Sequence, residues 1–174
     1  MKNNIFVVII FIYLSFIIGH LSLVHADYVL PYPSYMPGNK LYKVSRIIDQ
    51  VKKFWYWGSI AGVKYHLGLS DKYLVEAKTL FEYKQYLLAT DALRRSDTEY
   101  IEIPQFIVRA KVEGKDITLL EKTVKEAAQT HIQILDGFKQ TVPAEFTWTP
   151  EKTTPTILPI GNLIETSINI RGQK

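Results

Sequence analysis

Apolar side chains recur at alternating spacings of three and four residues through most of this chain, the period of a helix with one buried face. The first such stripe is Leu41, Val44, Ile48, Val51 and Trp55, preceded by the break Pro37-Gly38-Asn39, in which Asn39 is a candidate N-cap. Gly58 ends that helix and Ser59 can cap a second, whose face is Ile60, Val63, Leu67, Ser70, Leu74, Ala77 and Phe81. After the short link 83–85, a third stripe runs through Tyr86, Ala89, Leu93, Ser96, Tyr100 and Ile103. Pro104 lacks an amide donor and biases Ile103 away from helical angles, so a break is expected there, with Phe106, Ile107 and Ala110 continuing beyond it. The turn 113–116 ends in a candidate cap, Asp116. It leads to the most regular stripe of all: Leu120, Val124, Ala127, His131, Leu135 and Phe138, stopped by Pro143. Four prolines and many threonines over 143–159 predict an extended connection, and Ile160 to Ile168 predict a short last helix ending near Gly172. No strand pattern competes. The expected fold is all-α, an antiparallel bundle of about four main helices plus a short C-terminal helix.

The first 26 residues stand apart. Lys2 precedes an apolar run from Ile5 to Ile18, and Val24-His25-Ala26 places small residues at −3 and −1 of a cut after Ala26. This is the pattern of a secretory signal. The rival reading is a retained membrane anchor over residues 5–24, long enough to span a bilayer, with Lys2 on the cytoplasmic side. Both give an extracytoplasmic address: secreted, or held in the cell envelope. The division that follows is a signal or anchor at 1–26, a Pro/Tyr-rich strap at 27–40, a helical bundle at 41–142, and a Pro/Thr-rich connection with its short helix at 143–174.

Composition narrows the function classes. The 174 residues include no cysteine, which removes disulfides, thiol catalysis and thiolate metal sites. Of 21 basic side chains only Lys2 lies before residue 27, so loss of the signal leaves 20 against 17 acidic groups, a net charge of +3. The signs alternate along the chain, without the concentrated basic stripe of a nucleic-acid binder.

The segments Leu30-Pro31-Tyr32-Pro33 and Met36-Pro37-Gly38-Asn39-Lys40-Leu41-Tyr42 resemble the mature start of a family of uncharacterised exported bacterial and archaeal proteins. In that family Leu-Pro-Tyr-Pro-Gly is followed, after a short gap, by Pro-Asp-Asn-Pro-Leu-Tyr. Leu74-Val75-Glu76-Ala77-Lys78 is similar to its Arg-Leu-Ala-Glu-Ala block, and His131 to Leu135 before Val142-Pro143 to its His-x-x-x-Leu helix. Ser34, Gly38 and Lys40 depart from the pattern. The resemblance implies export and helices; the family is a domain of unknown function and implies no activity or catalytic residue.

Candidate chemistry is sparse. Outside the first 26 residues the histidines are His66 and His131, with nothing like His-Glu-x-x-His spacing, no Gly-x-Ser-x-Gly turn and no phosphate-cradling glycine loop. No cofactor is implied. His131, on an apolar stripe, is expected to be a core histidine bonded to a neighbour; His66 should sit at the edge of its stripe. The more distinctive feature is Lys52-Lys53-Phe54-Trp55-Tyr56-Trp57. Successive helical residues point about 100° apart, so these rings cannot all enter one core. One reading makes this helix central and buried on two sides. Another makes Lys52, Lys53, Trp55, Tyr56 and Trp57 an aromatic and basic patch for lipid headgroups, or a protein-binding hot spot. Tyr32 and Tyr35 on the strap are further candidate docking rings. The leading functional expectation is a non-enzymatic envelope module that binds a protein or a membrane surface, with self-association open and no nucleic-acid partner. A tetratricopeptide-like variant would rest on Glu76-Ala77 and Ala89 to Leu93, where a single hairpin is visible. The alternative is an enzyme or metal-binding protein centred on His131.

Overall fold

A computed structural model describes residues 28–173, so the candidate signal or anchor lies outside the described residues. The chain is mostly helical. In order, α1 spans Tyr42–Lys52, α2 Ser59–Glu82, α3 Tyr86–Ile101, α4 Ile103–Val112 and α5 Thr118–Thr141. Two short strands follow, β1 at Phe146–Trp148 and β2 at Thr156–Leu158, and then α6 at Ile160–Gly172. No helix among the described residues is long and apolar enough to cross a membrane.

The centre of the molecule is α2 with α3, joined through a three-residue link in which Lys84 adopts a positive φ of 57°. α5 and α6 pack on this pair, and α4 lies against α2. The stripes expected for α2, α3 and α5 are those that enter the core. Leu74, Ala77, Leu80, Phe81, Ala89, Ala92, Leu93, Leu135 and Phe138 form the larger apolar cluster with Ile160 and Ile164 of α6. Val63, Leu67, Tyr100, Ile103, Ala127 and Ala128 form a second. Gly62 sits beneath the Phe106 ring, where an added Cβ would come within 2.3 Å of a ring carbon; that close approach seats α4 on α2.

Two expectations are corrected. The 143–159 connection is not strandless: Phe146 pairs with Leu158, Thr147 with Ile157 and Trp148 with Thr156 in an antiparallel hairpin. Its inner positions are Phe146, whose ring is tilted against that of Tyr86 at 4.7 Å, and buried Leu158; the other positions of both strands are exposed, so no two-residue period marks them. The second correction is larger. The first stripe is not buried: Leu41, Val44, Ile48 and Val51 are 45–49% exposed, their neighbour Ile47 is 60% exposed, and the buried residue of α1 is Asp49. The helix stops at Lys52, so Trp55 is not on it, and the reading of α1 as a central helix buried on two sides fails.

Candidate functional site

The reason α1 turns its apolar stripe outward lies in its polar positions. Tyr42, Ser45 and Asp49 follow one another at three and four residues, so they share the opposite face. The Tyr42 hydroxyl donates to Glu76 Oε1 at 2.7 Å, and Lys72 donates to Ser45 Oγ at 3.1 Å and to the Asp49 carboxylate. The Tyr65 hydroxyl donates to the Asp49 carbonyl at 2.9 Å. Arg95 completes the attachment, donating to Glu76 Oε1 at 2.9 Å and to the Tyr42 oxygen at 3.2 Å. Burial and the Glu76 bond push the Tyr42 hydroxyl up to about 12, so it stays a donor. α1 is an amphipathic helix mounted inside out, its polar side fastened to α2 and its apolar side facing away.

Beyond Lys52 the chain turns through 53–57 before Gly58, whose φ of 89° and ψ of 169° suit a residue without a Cβ. This turn displays the aromatic run. Phe54, Trp55 and Trp57 are 75–83% exposed, and the Trp57 indole donates to the Phe54 carbonyl, which steadies the tip. Tyr56 alone folds back, its ring 5.3 Å from that of Tyr65. Lys53 follows the last helical residue and is exposed. Residues 40–57 carry Lys40, Lys43, Arg46, Lys52 and Lys53 against one acid, Asp49, and that acid is already paired with Lys72.

The strap crosses both core clusters. Tyr28 packs on the second, Leu30 and Met36 on the first, while the Tyr32 ring stands 93% exposed. Tyr32, Lys52 and Tyr56 are brought together: they line one cleft of about 280 Å³ with Pro31, Lys64 and Tyr65. Tyr35 is not part of it and borders a depression formed by the strap itself. Sequence reasoning missed Asp49, Lys64 and Lys72. The available signal was a lone acid on a basic, apolar helix.

The His131 region is a closed polar core. His131 has no exposed surface; its Nε2 lies 2.7 Å from Asp71 Oδ1, and Arg171 Nε donates to its Nδ1 at 3.0 Å. A ring nitrogen that accepts from a guanidinium carries a lone pair, so the proton sits on Nε2 and the imidazole is neutral. Burial, aided by the Arg171 charge, holds His131 below its ordinary value of 6.5 against the opposing pull of Asp71 and Asp97. The Tyr28 hydroxyl donates to Asp71 Oδ2 at 2.5 Å, and burial raises it well above the usual phenol range. Arg171 also donates to Asp97 Oδ1 at 2.6 Å and Ser96 Oγ at 2.8 Å, and Ser167 donates to Asp97 Oδ2 at 2.7 Å. Strap, α2, α3, α5 and α6 thus meet in one network. His66 is also buried rather than at an edge, 2.8 Å from Glu99 and stacked near Phe106. Glu76 belongs to the Arg95 pair, and Asp136 faces Lys139 at 3.9 Å. Among the described residues no group of three or more His, Asp or Glu side chains is placed to hold a metal ion. No protein-family model, no curated protein and no solved structure matches the chain.

Proposed function

We propose that this chain is a non-enzymatic, extracytoplasmic interaction module that docks on an anionic membrane surface through the outward face of α1 and the 54–57 tip. One observation carries the reading: the apolar stripe of α1 is exposed while its polar stripe is bonded to the body. A helix gains nothing in water from that orientation, and burial of its side chains elsewhere is worth about 1.5–3 kcal/mol for each large one. Lipid suits the flanks. Five basic residues surround the apolar face, and Trp and Tyr prefer the headgroup level. The apolar run at 5–18 and the resemblance of 30–42 to exported proteins support an address at a membrane. The alternative centred on His131 finds little support, because both ring nitrogens are engaged and the ring is closed to solvent.

The test is a vesicle-binding titration of the wild-type chain and its Trp55→Ser, Trp57→Ser double variant, at equal phosphatidylcholine and phosphatidylglycerol content. Loss of two interfacial indoles should weaken binding by roughly 100-fold or more. The melting temperature should stay within a degree or two, since neither ring contributes to the core. Equal binding by the two proteins would remove the membrane reading.

A further inference from the structure

The cleft behind the docking face has a charge pattern of which the membrane reading uses only Lys52. It lies between the strap, α1 and α2, and its walls carry Lys52, Lys64 and Lys72 with the rings of Tyr32, Tyr56 and Tyr65. One carboxylate faces this set. Asp49 is shared by Lys72, which bonds it directly, and by Lys52, 3.8 Å away. Lys64 has no carboxylate partner among the described residues, and it is exposed on α2. The cleft therefore holds two positive charges more than negative ones, in a concave space of about 280 Å³.

Elsewhere on the surface some cations have a carboxylate at hand: Arg109 and Lys115 share Glu113, and Lys111 faces Glu121. What sets Lys52, Lys64 and Lys72 apart is that the three line one concave space. Lys52 links the two features, since it lines the cleft and follows Val51 of the apolar face in sequence. The tyrosines add walls that are apolar in the middle and polar at one end. Lysine ammonium groups are mobile point donors that suit a tetrahedral anion, and a small apolar wall suits the carbon atoms of its ester.

We propose that this cleft binds a phosphate ester, the headgroup phosphate of an anionic glycerolipid. The inference rests on the docking reading for the lipid as source, and on the cleft alone for phosphate as ligand. Lys52 and Lys64 hold the phosphate oxygens, Lys72 remains with Asp49 and supplies field rather than a direct contact, and Tyr32 closes the outer side. The apolar face of α1 then provides depth in the bilayer, and the cleft provides selection for charge.

The experiment uses the full chain, comparing wild type with Lys64→Gln and Lys64→Glu, so that any contribution of residues 1–26 is common to all three. Lys64 is exposed and has no carboxylate partner among the described residues, so both variants should keep the wild-type melting temperature. Binding to vesicles containing phosphatidylglycerol should fall about fivefold for Lys64→Gln and further for Lys64→Glu, with binding to pure phosphatidylcholine unchanged. Glycerol 1-phosphate, added as a free probe, should shift the amide resonances of Lys64, Gly68 and Leu69 in the wild type and not in Lys64→Glu. Shifts with the free probe but no preference for phosphatidylglycerol would overturn the lipid as source while keeping a phosphate site. No shifts, and equal vesicle binding by all three proteins, would overturn the cleft. The docking face would survive that result as long as Trp55→Ser, Trp57→Ser still weakened binding.

Discussion

Single residues decide what His131 can do. Its neutral ring bridges a carboxylate on α2 and a guanidinium on α6, so it is a structural linker despite its position on an apolar stripe. A plain apolar core position would accept leucine at no cost or with a gain. Here His131→Leu would leave the Arg171 Nε–H and one Asp71 oxygen without partners in a buried site, a loss of about 3–5 kcal/mol. The melting temperature should drop by roughly 6–15 °C, read by calorimetry. An unchanged or higher value would show that the Asp71–His131–Arg171 bonds are not formed. The same ring gives a pH signature. Its folded pKa lies below 6.5, so the unfolded chain binds more protons in the interval between the two values. Stability contributed by neutral His131 is complete above about 6.5 and declines as the pH falls below it. Asp71, Asp97, Arg171, Tyr28 and Tyr100 surround the ring and set that balance. Melting temperatures from pH 7.5 to 5.5 should fall more steeply for wild type than for His131→Gln; parallel curves would count against a neutral imidazole.

At the scale of elements, α1 separates periodicity from direction. The spacing Leu41, Val44, Ile48, Val51 was legible as a helix and defined the right face, but periodicity does not say whether a face meets the protein's own core. The decision belongs to Tyr42, Ser45 and Asp49, whose partners Glu76, Lys72 and Tyr65 lie 16 to 34 residues away in sequence. Long-range polar pairing of this kind leaves no local pattern. α2, α3 and α5 were legible because each carries a continuous stripe long enough to cross the bundle. The β1–β2 hairpin was not, since three-residue strands in a proline- and threonine-rich segment, each with a single inward position, show no alternation. The mounting of α1 predicts opposite responses on its two faces. Ile47→Ser and Val51→Ser should change the melting temperature by no more than about a degree, as surface substitutions do. Asp49→Ala removes the carboxylate that Lys72 binds, and it should loosen the helix. Hydrogen exchange would show faster exchange across 42–52 in Asp49→Ala, with α2 and α3 protected as before. Uniformly faster exchange would mean that α1 is part of the core, contrary to its exposed stripe.

The whole molecule reads as a helical body that carries an apolar, basic blade. The body's architecture followed from hydrophobic spacing and proline positions, whereas the proposed docking surface was visible only in part. Lys52, Lys53 and the 54–57 rings drew attention through their composition; Lys64 and Lys72 did not, because they look like ordinary solvated lysines on α2 until the strap and α1 close around them. The pairing of Tyr28 with Asp71 ties the strap to the buried network. Tyr28→Phe should therefore raise the susceptibility of the strap to proteolysis while leaving α5 and α6 intact, a result readable by limited digestion and mass spectrometry. The most direct test of a lipid-facing α1 is the fluorescence of Trp55 and Trp57 in a Trp148→Phe background, on vesicles with and without brominated acyl chains. Emission should shift to the blue and be quenched by bromine near the headgroup boundary, on anionic vesicles more than on neutral ones. Emission that stays at its aqueous position, unquenched at saturating anionic lipid, would contradict membrane docking by this face.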